Sequence, residues 1–271
     1  MNAKKSLKSS FLIIAVLFGV ASTQAQDRLF TYTYQSNVLN KGQRELESWN
    51  TLRTGREDYY ARYDNRTEYE IGLGNNLQTA FYLNLTSKTK TMSDNSVKTL
   101  STENEIGFSN EWKLKLLDPV AHPVGLALYT EVGISSNEYE LEGKIILDKK
   151  IGNLTIAANG VYEQEFAPFY ESSDLEWEKE MKIEGYLAFA YSLSPKFHLT
   201  FENAYKNVFM ESELEHSALY SGLGFSYVQE NFWVNFAAMP QLTSFKGESG
   251  ENLNLNEYEK VQFRLLFSYM F

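Results

Sequence analysis

The strongest constraint on the fold is a two-residue hydrophobic period, which is most regular in VQFRLLFSYMF at positions 261–271. Every second residue from Val261 to Phe271 is apolar, and Arg264 and Ser268 lie on the opposite parity. Successive side chains of a β-strand point to opposite faces, so this pattern predicts a strand with one apolar face. An unpaired strand of this kind would pair with other chains and aggregate. The strand therefore needs a partner on each edge.

The same period recurs along almost the whole chain, and no segment has a sustained helical period. Alternating segments separated by Gly, Asn, Asp and Pro clusters predict about twelve strands in one domain at residues 26–271. We place these strands near 43–53, 58–73, 76–90, 97–115, 123–135, 137–149, 153–166, 176–192, 196–208, 213–228, 231–243 and 257–271.

The first 25 residues have the layout of a cleaved export signal. Lys4, Lys5 and Lys8 precede the apolar run FLIIAVLFGV, and small residues lead up to a cleavage point after Ala25. Removal of this segment takes away three lysines and no acid, so the net charge changes from −10 to −13. Such an acidic chain is a poor partner for nucleic acid. The chain has no cysteine, which excludes disulfides and thiol chemistry.

No apolar stretch beyond the export signal approaches the ~20 residues that a membrane-spanning helix needs. A transmembrane β-barrel contains no such continuous apolar stretch, because its lipid-facing and lumen-facing residues alternate. The predicted connections also differ in length between the two ends. Tight turns at 72–76, 148–153, 192–196 and 228–231, with a longer link at 116–123, face longer polar links at 92–96, 167–175 and 245–256 and one short link at 135–137. Short turns at one end and longer loops at the other are typical of outer-membrane barrels, in which the short turns face the periplasm.

Aromatic residues on the outward parity fall into two groups, one near each end of the predicted strands. Aromatic belts at both headgroup boundaries are typical of membrane barrels. A secreted β-sandwich would also alternate, but its strands average only about five to six residues. The fold class is therefore an all-β, transmembrane, antiparallel up-and-down barrel. The predicted periplasmic belt comprises Trp112, Tyr191, Phe197, Tyr227, Phe232, Tyr269 and Phe271, and the opposite belt comprises Tyr59, Tyr63, Tyr139, Tyr162 and Tyr205.

The export signal, the strands and the terminal FSYMF together resemble a Gram-negative outer-membrane β-barrel. The stretches at 41–55 and 116–133 are also similar to Bacteroidota-type barrels, loosely akin to the phenol meta-pathway outer-membrane transporter group. This resemblance implies an outer-membrane location and lipid contact. It also implies that the barrel-assembly machinery reads the C-terminal strand and its final Phe271.

Acidic residues two apart share one strand face, and here that face is the lumen. We predict a lumen with an acidic sector and a basic sector, whose transverse field orients or selects small polar solutes. A Ca²⁺ site among the acids is a sharper alternative. The simplest alternative is that charges face inward only because lipid excludes them. The acidic sector comprises Glu131, Glu140, Glu142, Glu163, Glu165, Glu178 and Glu180, and the basic sector comprises Arg53, Arg62, Arg66 and Lys88.

Catalysis is not expected, and no cofactor or metal is required. The chain has three histidines, His122, His198 and His216, and no serine lies two residues after any of them on the same strand face. The leading functional hypothesis is a narrow passive channel for small polar or aromatic solutes. The alternative is a structural or interaction barrel with a filled lumen and partner-binding loops. The choice depends on the bulky inward residues Trp49, Tyr60, Tyr82, Tyr129, Tyr186, Tyr220 and Trp233.

Overall fold

The computed structural model describes residues 28–94, 97–171, 174–247 and 251–271. The predicted export signal at residues 1–25 lies outside the described residues. Twelve antiparallel strands form one closed barrel in which each strand pairs with its chain neighbours. The predicted fold class is confirmed. The strands are β1 Arg44–Thr54, β2 Tyr60–Gly74, β3 Leu77–Asp94, β4 Val97–Leu117, β5 Gly125–Ser135, β6 Tyr139–Ile151, β7 Leu154–Glu171, β8 Asp174–Ser192, β9 Phe197–Met210, β10 Glu213–Val228, β11 Phe232–Lys246 and β12 Val261–Met270.

Closure joins the last strand to the first. β1 and β12 pair in register from Glu45 with Met270 to Thr54 with Val261. The apolar C-terminal strand β12 is thus paired on both edges, with β11 on one side and with β1 on the other. No helix in the described ranges is long and apolar enough to cross a membrane.

The two ends of the barrel differ, and we name them by their connections. The turn end carries the start of β1, the end of β12 and the tight turns, including one at Asn75 and Asn76, which have φ of 54° and 61°. Such positive φ values define the two-residue hairpins that match strand twist. The loop end carries the other six connections, among them the residues between β11 and β12.

The loop-end hairpins differ from the sequence prediction. The links predicted at 92–96 and 167–175 are mostly strand, because β3 pairs with β4 as far as Asp94 and β7 pairs with β8 as far as Glu171. Threonine and aromatic residues extend these ladders despite their polar surroundings. The connection at 211–212 is also short. The two ends of the barrel therefore differ mainly because the β3–β4 and β7–β8 hairpins project at the loop end, and less because of long irregular loops.

The barrel is apolar outside and largely polar inside. Outward side chains such as Ile106, Ile183 and Leu265 are exposed, whereas inward ones such as Glu47, Lys113 and Glu202 are buried. This distribution is the reverse of that in a water-surrounded protein, and it is the one that a barrel surrounded by lipid requires.

Candidate functional site: an occupied lumen and a charged cavity

The turn-end half of the lumen is occupied by residues 28–42, which we call the N-terminal segment. From the start of β1 this segment enters the barrel, and its residues 31–33 lie beside Glu202 near the middle of β9. It then returns toward the turn end, where the carbonyl of Arg28 accepts a hydrogen bond from Asn235 of β11 at 2.8 Å. This segment was not predicted from the sequence. Its presence means that the lumen is closed on one side.

Glu202 is the deepest anchor of the N-terminal segment. One carboxylate oxygen accepts hydrogen bonds from the backbone N–H and the hydroxyl of Thr31 at 2.7 and 2.8 Å. The other accepts the backbone N–H groups of Tyr32 and Thr33 at 2.8 and 3.1 Å. Glu202 is fully buried, so these charge-assisted bonds replace water around a buried anion. Loss of the carboxylate would leave three backbone donors unpaired.

Further inward side chains bind the backbone of the N-terminal segment along its path. Asn159 of β7 both accepts from and donates to Tyr34, at 2.6 and 3.0 Å. Gln78 of β3 accepts the N–H of Leu39 at 2.9 Å. Because buried backbone groups must be hydrogen-bonded, these wall residues make an irregular chain tolerable inside the barrel.

The N-terminal segment also supplies an apolar core. Phe30 and Tyr34 pack with Trp49 and Tyr129 of the wall, while Tyr32 packs in a second cluster with Tyr220. The room for these rings comes from small inward residues. They are Ala127, Ala157, Ala188, Ala190, Ala204, Ala218 and Ala237.

Close approach at the entrance of the segment requires a glycine. A Cβ placed on Gly72 would lie 2.1 Å from the carbonyl oxygen of Asn40 and 2.7 Å from that of Leu39. No side chain fits at such distances. The backbone of the N-terminal segment therefore passes directly against β2 as it leaves the barrel.

Above the N-terminal segment, toward the loop end, lies a cavity of about 630 Å³. Tyr32 and Tyr34 of the segment form part of its lining, together with Arg264 from the middle of β12. The Arg264 guanidinium stacks over the Tyr32 ring at 3.8 Å and donates to Thr51 at 2.9 Å. It makes no salt bridge within the described residues, so it offers an anion-binding group to the cavity.

Most of the predicted acidic sector lines this cavity. Six of the seven carboxylates do so, on β5 to β8: Glu131, Glu140, Glu142, Glu163, Glu165 and Glu180. Glu178 is placed differently. It is exposed on the projecting part of β8, paired with Ala167, and does not line the cavity. The prediction that Glu178 faces the lumen was wrong, because the β7–β8 hairpin extends beyond the closed barrel and has no lumen at that height.

Many of these acids already contact a cation of the wall. Lys182 contacts Glu163 at 2.8 Å and also contacts Glu165 and Glu180. Lys144 contacts Glu142 at 2.7 Å. Glu140 makes no ion pair in the described part of the chain. The acidic sector therefore presents less net charge than its residue count indicates.

The predicted basic sector also lines the cavity, from β1 to β3: Arg53, Arg62, Arg66 and Lys88. Arg53 and Arg62 share Asp64, at 3.0 and 2.7 Å. Arg66 reaches across to Glu131 of β5 at 2.6 Å and lies over the Tyr82 ring at 4.1 Å. The two sectors are thus joined by one ion pair at the lower part of the cavity.

The residues before β12 fold into the lumen from the loop end. The prediction of strand at 257–260 was wrong: Tyr258 packs against His216 and Tyr220, and Tyr220 donates to the carbonyl of Glu259 at 2.8 Å. Burial raises the pKa of the Glu259 carboxyl, but Arg53 and Arg56 outweigh this effect and hold the pKa below its usual value. Glu259 therefore stays ionised and adds to the cavity wall.

The seven aromatic residues predicted for the periplasmic belt lie on the outer face near the turn end. Tyr227 and Phe232 are half-buried against each other, with ring centroids 6.1 Å apart, and the other five are exposed. The ring centroid of Phe271 lies 6.3 Å from that of Tyr69 and 6.1 Å from that of Tyr269. The seven rings lie in a band around the outside of the turn end. Their contact with lipid headgroups stays a prediction.

One histidine contact was not foreseen. Ser192 and His198 face each other across β8 and β9, and the serine hydroxyl lies 2.9 Å from Nδ1 of the ring. The two residues lie on different strands, so the spacing of residues along one strand does not predict their contact. In the described ranges no carboxylate is hydrogen-bonded to this ring, so the pair lacks the orienting acid of a catalytic triad. The absence of enzymatic activity stays a prediction.

The geometry defines a class of protein: a closed twelve-stranded barrel of the outer-membrane type, with its own N-terminal segment folded inside. The chain belongs to DUF6662, a family of unknown function, whose model matches residues 22–271. No curated protein matches the sequence. The membership fixes the family but assigns no activity.

Solved structures share the fold at low sequence identity. The COG4313 outer membrane channel from Pseudomonas putida F1 has a TM-score of 0.61 and 10% identity, covering 87% of this chain and 98% of that one. The translocator domain of autotransporter NalP from Neisseria meningitidis has a TM-score of 0.58 and 10% identity, covering 87% and 91%. The beta domain of the Bordetella autotransporter BrkA has a TM-score of 0.56 and 8% identity, covering 86% and 100%. The chain thus has the fold of bacterial outer-membrane barrels, while the resemblance to the phenol meta-pathway group and to Bacteroidota-type barrels stays a prediction.

Proposed function

We propose that the protein is an outer-membrane channel for small polar solutes and that its N-terminal segment closes the periplasmic half of the lumen. The turn end faces the periplasm in this proposal, and the cavity opens toward the loop end. The observation that carries the proposal is the charged cavity of about 630 Å³ directly above the segment. Its size is within the roughly 300–1,000 Å³ of small-molecule sites.

The cavity lining favours polar solutes that carry charge. Arg264 offers a guanidinium without a carboxylate partner among the described residues, and Glu140 on the opposite wall offers a carboxylate without a cation. The rings of Tyr32, Tyr34 and Trp49 add flat surfaces between these groups. The structural likeness to a protein described as an outer membrane channel supports the same class of function.

Passage through the barrel requires the N-terminal segment to move. The segment is held mainly by hydrogen bonds to side chains of separate strands, such as Glu202, Asn159 and Gln78. In the described residues its backbone pairs with the wall only at its base, where the N–H of Gly42 donates to the carbonyl of Gly72 at 2.8 Å. Side-chain anchors can be exchanged for water one at a time, so displacement does not require the wall to open. We therefore propose a gated channel.

The same anchors favour the second candidate, a structural barrel whose lumen is permanently filled. Planar-bilayer recordings of the purified full-length protein distinguish the two. The gated channel predicts a small conductance that fluctuates between closed and open levels. An inserted protein that stays silent across a range of voltages and solutes would overturn the channel and leave the filled barrel.

A further inference from the structure

Five glutamates are buried together near the turn end, below the cavity and outside the predicted acidic sector. They are Glu45 and Glu47 of β1, Glu68 and Glu70 of β2, and Glu111 of β4. Each is almost completely buried. Oxygens of Glu68, Glu70 and Glu111 lie within 4.8 Å of one another, and the same holds for Glu45, Glu47 and Glu70. Such proximity of buried carboxylates is costly unless other charges compensate for it.

The protein cations near these five carboxylates do not balance them. Arg28 of the N-terminal segment lies 3.6 Å from Glu47. Lys113 is buried in the same region, but it makes no salt bridge within the described residues and lies 5.6 Å from the Tyr34 ring centroid. With every carboxylate ionised, the region holds three more negative than positive charges. A buried excess of this kind calls for a cation or for protons.

The hydrogen bonds to these five glutamates leave several carboxylate oxygens without a donor. Trp233 donates to Glu45 at 2.7 Å, Trp49 to Glu47 at 2.6 Å and Gln78 to Glu70 at 2.9 Å. Tyr82 donates to one oxygen of Glu111. In the part of the chain that the structure describes, the other oxygen of Glu111, both oxygens of Glu68 and one oxygen of Glu45 have no hydrogen-bond partner. Three of these four oxygens belong to Glu68 and Glu111. Buried carboxylate oxygens without any donor are the exception in proteins.

We propose that Glu68, Glu70 and Glu111 bind one Ca²⁺ ion. Ca²⁺ takes six to eight oxygen ligands and accepts a carboxylate in bidentate fashion, which suits the two free oxygens of Glu68. A small cavity of about 20 Å³, lined by Glu47 and Glu70 among others, adjoins the site. It has room for about one water molecule as a further ligand. The ion would reduce the charge excess of the region from three to one.

The other close group of acids is less suited to an ion. Oxygens of Glu140, Glu142 and Glu163 also lie within 4.8 Å of one another. There, however, Lys144 contacts Glu142 at 2.7 Å and Lys182 contacts Glu163 at 2.8 Å. Lysine ammonium groups therefore contact two of these three carboxylates, whereas no ion pair in the described residues involves Glu68, Glu70 or Glu111. The proposal therefore selects the turn-end group, although the predicted acidic sector contains the other one.

The bound ion would also hold the N-terminal segment. Gln78 donates to Glu70 through its amide nitrogen and accepts the N–H of Leu39 through its oxygen. An ion that fixes Glu70 thus fixes the amide orientation that binds the segment. This consequence is independent of the channel hypothesis, because a filled barrel would need the same support.

Terbium luminescence and elemental analysis test the site on the full-length protein in detergent. After treatment with chelator and dialysis against buffered Ca²⁺, we expect one Ca²⁺ per chain. Excitation of the nearby Trp49 and Tyr82 rings should sensitise bound Tb³⁺, and added Ca²⁺ should displace it. We expect Glu68→Gln to weaken Ca²⁺ binding by at least about tenfold, while the matched control Glu140→Gln leaves it unchanged.

Stoichiometric binding by the wild-type protein that is lost in Glu68→Gln supports the site. Absence of Ca²⁺ from the wild-type protein would overturn it and assign protons to the carboxylates, and this result does not depend on whether any variant folds. Binding that survives Glu68→Gln and disappears in Glu140→Gln would also overturn it, because the ion would then lie in the cavity. Heat-modifiable gel mobility checks that both variants form barrels.

Discussion

Deletion of residues 28–42 is expected to convert the barrel into an open pore with a single-channel conductance several-fold above that of the full-length protein. The deleted segment supplies Phe30, Tyr32 and Tyr34, which fill the turn-end half of the lumen. The wall around it carries many alanines and would leave a water-filled passage. Twelve strands are intermediate between small filled barrels and wide porins. Planar-bilayer recording measures the change.

Glu202→Gln tests the same idea with the N-terminal segment still present. The variant loses charge-assisted hydrogen bonds, worth roughly 1.5–3 kcal/mol each, and its amide group opposes some of the N–H donors of residues 31–33. We expect more frequent openings at the conductance of the deletion variant. Glu178→Gln is the matched control because Glu178 is exposed outside the cavity. Closed behaviour in both Glu202→Gln and the deletion variant would mean that the segment is not what blocks the pore.

Leu265→Arg should reduce the free energy of unfolding in lipid vesicles by about 2–4 kcal/mol, the cost of an arginine on the lipid face at the bilayer midplane. Leu265 lies near the middle of β12 and is exposed on the outer face of the barrel. The adjacent Arg264 points inward onto Tyr32. Arginine is therefore accepted on one face of this strand and costly on the other.

The control for Leu265→Arg is Tyr269→Arg, which places the same side chain at the predicted headgroup boundary. There we expect a cost of only about 0–1 kcal/mol beyond the lost aromatic contacts. Urea unfolding in vesicles, followed by tryptophan fluorescence, compares the two. Equal losses for both variants would contradict a lipid-covered outer face with its midplane near Leu265.

The strands could be predicted because alternation is a local property. β10 runs from Glu213 to Val228 as the sequence indicated, and its inward and outward faces follow from parity alone. The same parity placed Arg66 and Glu131 inside, where they form an ion pair 65 positions apart. The pair itself could not be predicted, because it depends on how far two side chains reach across the lumen.

The N-terminal segment escaped prediction for a physical reason. Its aromatic residues alternate with Thr31 and Thr33 as in a strand, but two of its anchors, Glu202 and Asn159, lie more than a hundred residues away in the sequence. A signal did exist in the wall. Inward alanines such as Ala188 and Ala218 leave space inside the barrel that another part of the chain can fill. Glu202 is buried on the same inner face and needs hydrogen-bond donors that the neighbouring strands do not offer.

The most direct test of the account is the thiol reactivity of residue 33. The chain has no cysteine, so Thr33→Cys introduces a single thiol at a position that is fully buried and whose hydroxyl makes no hydrogen bond in the described residues. Asn137→Cys at the mouth of the cavity is the exposed control. A lumen closed by the N-terminal segment predicts that a water-soluble maleimide labels residue 137 rapidly, and labels residue 33 only after the barrel is unfolded. Equal labelling rates in the folded protein would contradict it.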